Sequence, residues 1–165
     1  MMSPASARRG VDAGEASTPT QQFTLRIPMI PVGKGRPRFQ RSTGRTYTPA
    51  QTESAEAQIR YAWIEAGRPR LPDDTPISVG VTLEIPRPAG HFKKNGELSA
   101  AGRRAGRVWC RQKPDIDNAM KLVMDALEGF AYRSDACVVE LTASKLWTRG
   151  APCVIVDMEH IGGEA

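Results

Sequence analysis

The sequence predicts an α+β fold, a mixed β-sheet with two main helices packed on one face as a two-layer sandwich. Three observations predict it. Two-residue alternation of apolar and polar side chains recurs at 22–27, 77–85, 137–147 and 153–161, the period of half-buried strands. Two segments with apolar residues at helical spacing stand between these strands, an order that suits helices laid on a sheet. The 165 residues, 40% hydrophobic and 25% charged, suffice for one globular domain and not for two.

Taken in order, residues 1–21 are rich in Ala, Ser, Thr, Gly and Pro and poor in large apolar side chains, so a disordered tail is expected there. The domain then runs over 22–161, with 162–165 as a C-terminal tail. Phe23, Leu25 and Ile27 alternate with Thr24 and Arg26 in the first strand, and Pro28 and Pro31 end it. VGKGRPRFQRSTGRTYT, which follows, has glycines for turning and cations for meeting phosphate, and reads as a loop or hairpin near an anion. Thr48, Pro49 and Gln51 form a helix start, with Thr48 as cap and Gln51 reaching back. The helix covers about 49–66, its stripe made by Ala55, Ile59, Ala62, Trp63 and Ala66, and Gly67 stops it.

Ile77, Val79, Val81, Leu83 and Ile85 alternate without a break and predict a strand. From Pro86 to Arg111 no period is visible, and a mobile loop of a functional kind is expected. His91 within it reads as a surface residue with no metal role. Asp115 then looks like an N-cap, and Ile116, Ala119, Met120, Val123, Met124 and Leu127 predict an amphipathic helix that ends near Gly129. Its polar side carries Asn118, Lys121 and Asp125, with Asp117 one step away. Val139, Leu141 and Ala143 mark the next strand, entered at Asp135, and Val154, Val156 and Met158 mark the last.

Charge is concentrated. Residues 34–46 hold five basic side chains and no acid, and residues 93–113 hold seven against Glu97 alone, so with a net charge of +5 the rest of the chain is net −6. A solvated face explains either run alone, but both together suggest a polyanionic partner. Lys34, Arg36, Arg38 and Arg41 in the first stretch, and Lys93, Lys94, Arg103, Arg104 and Lys113 in the second, are the expected nucleic-acid contacts. Cys110, Cys137 and Cys153 are odd in number and widely spaced, which argues against disulfides or a zinc knuckle and for three buried thiols. No run approaches the roughly 20 apolar residues of a membrane span, and the N-terminus has no apolar signal core, so a cytoplasmic protein is expected.

Carboxylates at a helix start are explained by the helix dipole, at about 0.3 to 1 kcal/mol each. That account does not explain why Asp115 and Asp117 should lie between two basic stretches. A hard divalent cation seated between carboxylates and a polyanion does, since Mg²⁺ is held by one or two carboxylates, water and phosphate. Asp115, Asp117 and the returning Asp135 are the candidate ligands, and whether one ion or two is bound stays open at this point. Lys121, one turn beyond Asp117, either stabilises charge on a phosphate or pairs with Asp117 at i, i+4.

On these residues the sequence resembles the RusA-type Holliday junction resolvases of bacteria and their phages. KPDIDNAMK, from Lys113 to Lys121, reproduces the family core of lysine-proline-aspartate, one residue, aspartate-asparagine, two residues and lysine. DAL at 125–127, GKGRPR at 33–38, YTP at 47–49 and the basic GHFKKNGELS segment also resemble it, so that the similarity covers about residues 22–160. One departure is Ser134, where many members have an acid next to the retained Asp135. The resemblance implies a homodimeric endodeoxyribonuclease dependent on Mg²⁺, with Mn²⁺ as a substitute, that nicks four-way DNA junctions symmetrically in recombination and repair. It places the essential aspartates on Asp115, Asp117 and Asp135 and the essential lysine on Lys121, and it implies work at the bacterial nucleoid or in a phage-infected or prophage-carrying cell. The alternatives are a branched-DNA-binding module without catalysis and a flap or single-strand nuclease with the same metal site.

Overall fold

The computed structural model describes residues 22–73 and 75–161; the tails expected at 1–21 and 162–165 lie outside the described residues. The fold is α+β. Strands β1 (Gln22–Ile27), β4 (Ile77–Pro86), β5 (Val138–Thr148) and β6 (Cys153–His160) form one sheet in the order β1-β6-β4-β5, while β2 (Arg38–Gln40) and β3 (Arg45–Tyr47) pair apart from it as a small hairpin. The helices are α1 (Ala50–Glu65), the short α2 (Ala100–Arg104) and α3 (Ile116–Leu127).

The sheet is mixed because β4 pairs antiparallel with β6 and parallel with β5. A parallel neighbour cannot be reached by a tight turn, so the chain crosses over between β4 and β5, and α3 lies on that crossover. The start of α3 therefore falls toward the ends of β4 and β5, and its last turn toward their beginnings. This arrangement decides where the acids sit.

The predicted periods of β1, α1, β4 and β6 account for most of the core, but that of β5 does not, since Val139 and Leu141 of this edge strand stay exposed. Ile77, Val79, Val81, Leu83 and Ile85 are all buried, and they join Leu25 and Ile27 of β1, Val154, Val156 and Met158 of β6, and Ile59 and Trp63 of α1 in one cluster. Each such aliphatic side chain contributes about 1.5 to 3 kcal/mol by leaving water. In α3 the buried arc is wider than the sequence stripe, for Leu122 and Ala126 are buried as well, while Ile116 at the first position is exposed. The reason is that α3 packs against α1 as well as against β5.

Local expectations fail at two places. Pro49, in extended conformation, takes the N-cap position of α1, and no side chain caps it. Thr48 and Gln51 therefore do not form the expected cap, and the Thr52 hydroxyl of the first turn accepts instead from Gly35 N at 3.0 Å. The second place is the segment after β4, which is built rather than structureless. It contains a 3-10 turn at Ala89–His91 and α2, whose N-cap Ser99 accepts from Gly102 N. Trp147 of β5 organises it: its ring lies under Arg87 at 5.0 Å and edge-on to His91, and its Nε1 donates to the Ala105 carbonyl at 3.2 Å. Arg87 also donates to the carbonyls of Gly106 and Arg107, and His91 is buried.

The cysteines form no disulfide. Cys110 and Cys153 are buried and Cys137 is half-buried. Burial and a bond from Cys153 Sγ to Glu84 at 3.1 Å push that thiol up to about 11, and the same bond, with Arg26 at 2.5 Å, holds Glu84 below its ordinary range. No helix among the described residues is long and apolar enough to cross a membrane.

Candidate active site

Asp115 is the N-cap of α3, as expected, but its side chain makes no capping hydrogen bond. Its carbonyl accepts from Ala119 N at 3.0 Å, which starts the helix, and its exposed carboxylate is left free for another partner. A purely structural capping role is thereby not what this geometry provides. The segment before it is fixed by Lys145 of β5, whose ammonium donates to the carbonyls of Gln112 at 2.5 Å and Pro114 at 2.7 Å.

Asp115 borders two open cavities. One is shared with Gly33, Lys34, Lys113 and Asn118, the other with Asp117, Trp109 and Lys145. The glycines of GKGRPR serve close approach here. A Cβ on Gly33 would stand 3.2 Å from Asn118 Cβ, a tight contact, and one on Gly35 would stand 2.9 Å from Thr52 Oγ1, closer than a Cβ can be seated without a shift, so the loop lies close against α1 and α3. Lys34 N donates to the Asn118 carbonyl at 2.9 Å.

Asp117 and Lys121 follow on the exposed side of α3. Among the described residues no ion pair joins them, so the i, i+4 pairing left open by the sequence is not made. Both border a groove of about 410 Å³ floored by Met120, Met124, Val138 and Leu141, and Asp135 stands on the same groove.

Asp135 lies toward the other end of α3. It opens a 3-10 turn capped by Ser134, whose hydroxyl accepts from Ala136 N at 3.4 Å. This gives Ser134 a structural part at the position where an acid is common. Among the described residues, Asp125, Glu128 and Asp135 each bring a carboxylate oxygen within 4.8 Å of the other two. Asp115 and Asp117 are not in that cluster, since Asp117 precedes Asp125 by eight residues, about 12 Å along a helix axis. Asp125 is already engaged by the Lys34 ammonium, which also stands 3.4 Å from Glu56.

Tyr132 belongs to no local pattern that marks it in the sequence. It is buried, with its hydroxyl 3.0 Å from the Met124 carbonyl and 3.2 Å from Asp135 Oδ1, and its single proton can serve only one of them at a time. Burial and the Asp135 charge drive its titration far above the ordinary tyrosine range. Trp109, which borders the cavity of Asp115 and Asp117, is likewise marked by no period. A tryptophan inside a basic, aperiodic run was the available signal.

Of the nine expected DNA contacts, Arg36, Arg38, Arg41, Lys94, Arg104 and Lys113 are exposed and make no ion pair among the described residues. Lys93 pairs with Glu97 at 3.0 Å, and Arg103 donates to the Leu98 carbonyl at 2.8 Å. Lys34 stands apart, half-buried between Asp125 and Glu56.

Two exposed carboxylates, Asp115 and Asp117, border one cavity at the start of α3 together with the buried Cys110, and exposed cations lie around it; carboxylate oxygens are donors suited to a hard divalent ion. The chain is 31% identical over 121 residues to the uncharacterized protein YqaN of Bacillus subtilis (strain 168), a match covering 72% of this chain and 82% of that relative. Residues 28–159 match the family described as endodeoxyribonuclease RusA, so the chain belongs to the RusA endodeoxyribonuclease family.

Proposed function

We propose that residues 22–161 form a two-layer, homodimeric nuclease domain that resolves four-way DNA junctions by paired symmetric nicks in a divalent-metal-dependent reaction. Its setting is the DNA of a bacterial cell or of a phage within it. The observation that carries the reading is the free carboxylate of Asp115 at the start of α3, close in sequence to Asp117, which itself stands one turn before Lys121.

Asp115 and Asp117 are the adjacent pair of acids assigned to the metal, and Asp135, toward the other end of α3 but on the same groove as Asp117, is the third acid assigned to the site. Bound Mg²⁺, or Mn²⁺ in its place, supplies Lewis acidity and a water of lowered pKa. Lys121 brings an unpaired ammonium to the same groove, where it offsets charge on the scissile phosphate or the departing oxygen. Tyr132 orients Asp135 through the hydroxyl contact. Arg36, Arg38, Arg41, Lys94, Arg104 and Lys113 hold the backbone of the DNA. A binding module without catalysis has no use for exposed acids among these cations, because they repel phosphate unless a cation intervenes. Dimerisation is supported by the first half of β5, an edge strand whose Val139 (63%) and Leu141 (44%) stay exposed on the border of the groove that also holds Asp117, Lys121 and Asp135.

The test is cleavage of a labelled four-way junction, a flap and a linear duplex with Mg²⁺, Mn²⁺ or a chelator. Paired nicks in the junction that vanish with chelator, and in Asp115→Asn, Asp117→Asn and Asp135→Asn without loss of junction binding, are expected. Equal cutting of flap and duplex would refute junction selectivity. Nicking in chelator would refute the metal.

A further inference from the structure

We infer that Trp109 is a base-stacking residue, which holds an unpaired nucleobase beside the scissile phosphate; the inference rests on the nuclease reading above. The chain has three tryptophans. Trp63 is buried in the core, and Trp147 is held by Arg87, His91 and the Ala105 carbonyl. Trp109 is 63% exposed and has no ring partner or side-chain hydrogen bond among the described residues.

Its backbone is nevertheless fixed. Trp109 bridges Leu146, Cys110 N donates to the Lys145 carbonyl at 2.9 Å, and Trp147 N donates to the Val108 carbonyl at 2.8 Å. Residues 108–110 thus extend the sheet beyond β5, and the buried Cys110 anchors them. The backbone that carries the indole is pre-organised, so only the ring's own rotation is ordered when a flat ligand binds.

The place of the ring identifies that ligand. Trp109 borders the cavity of about 470 Å³ that holds Asp115 and Asp117, and the segment around it carries the unpaired Arg104, Arg107 and Lys113. An aromatic face beside cations is the arrangement by which proteins hold single-stranded nucleic acid, the cations taking the backbone and the ring taking a base. Bases within a duplex are already stacked and offer no free face. A base at a branch point is unstacked at little cost, so Trp109 favours branched over linear DNA.

The experiment uses the full chain with metal chelated, a four-way junction and a linear duplex of the same sequence, and the variants Trp109→Ala and Trp109→Phe. Trp109→Ala is expected to weaken junction binding about tenfold and duplex binding less than about twofold, with Trp109→Phe within about threefold of wild type on both. Tryptophan emission should be quenched by the junction in wild type and unchanged in Trp109→Phe, a readout that survives if the alanine variant does not fold. Equal losses on junction and duplex, or no loss on either, would overturn the proposal. Dissociation of a dimer by either variant would also overturn it, by making the ring a subunit contact. A wild-type protein that prefers neither DNA overturns the junction-resolving reading first, and the stacking proposal with it.

Discussion

At the scale of single residues, Lys121 separates chemistry from surface electrostatics. An exposed lysine paired to a helix neighbour contributes only a few tenths of a kcal/mol, and its loss leaves a reaction rate untouched. Among the described residues Lys121 has no such pair, and its side chain borders the groove that holds Asp117 and Asp135. We therefore expect Lys121→Ala to slow single-turnover cleavage, at saturating enzyme and Mg²⁺, by about 10² or more, as when another preorganised electrostatic group is removed. Its melting temperature should stay at the wild-type value. A rate within about threefold of wild type would return Lys121 to the solvated surface of α3.

At the scale of elements, legibility followed the distance over which order is decided. β4, β6 and α3 were readable because their burial repeats within a few residues, and Asp115, Asp117 and Lys121 were readable as a set because one helix carries all three. The segment between β4 and α3 was not readable, because its order comes from Trp147, a residue of β5 that no local period announces. The company of Asp135 was hidden for the same reason: Tyr132 and Glu128 meet it through a turn. Gly102 tests whether that segment is built as described. A Cβ there would collide with the His91 carbonyl oxygen and come within 3.1 Å of Leu98 Cδ2, whereas a Cβ on Gly90 meets nothing within 4 Å. Gly102→Ala should destabilise by about 1 to 3 kcal/mol, as overpacking does, and Gly90→Ala should leave the melting temperature nearly unchanged. Equal melting of the two variants would mean the segment does not pack as seen.

At the scale of the molecule, the cations fall into two kinds that sequence alone could not separate. Lys34 lies in the same basic run as Arg36, Arg38 and Arg41, yet it is bound by Asp125 and Glu56, and its backbone N–H is bound by Asn118. Lys34 thus ties the root of the β2–β3 hairpin to α1 and α3, while the arginines beyond it stay exposed. Binding to phosphates releases counterions, so the logarithm of affinity falls with the logarithm of salt by about 0.9 per neutralised phosphate. Replacing Arg38, Arg41, Lys94 and Arg104 together by alanine should therefore reduce the slope for junction binding by about 3 to 4, with little change in melting temperature. Lys34→Ala should do the reverse. It leaves two half-buried carboxylates without their shared cation, which should cost about 1 to 2 kcal/mol, between the values for exposed and buried pairs, and should leave the salt slope near that of wild type. Both readings come from the same fluorescence-anisotropy titrations at several salt concentrations, set beside thermal melts. An unchanged slope in the fourfold variant would take the basic stretches off the DNA, and a slope lowered by Lys34→Ala in a fully stable protein would make Lys34 a phosphate contact and not a tether.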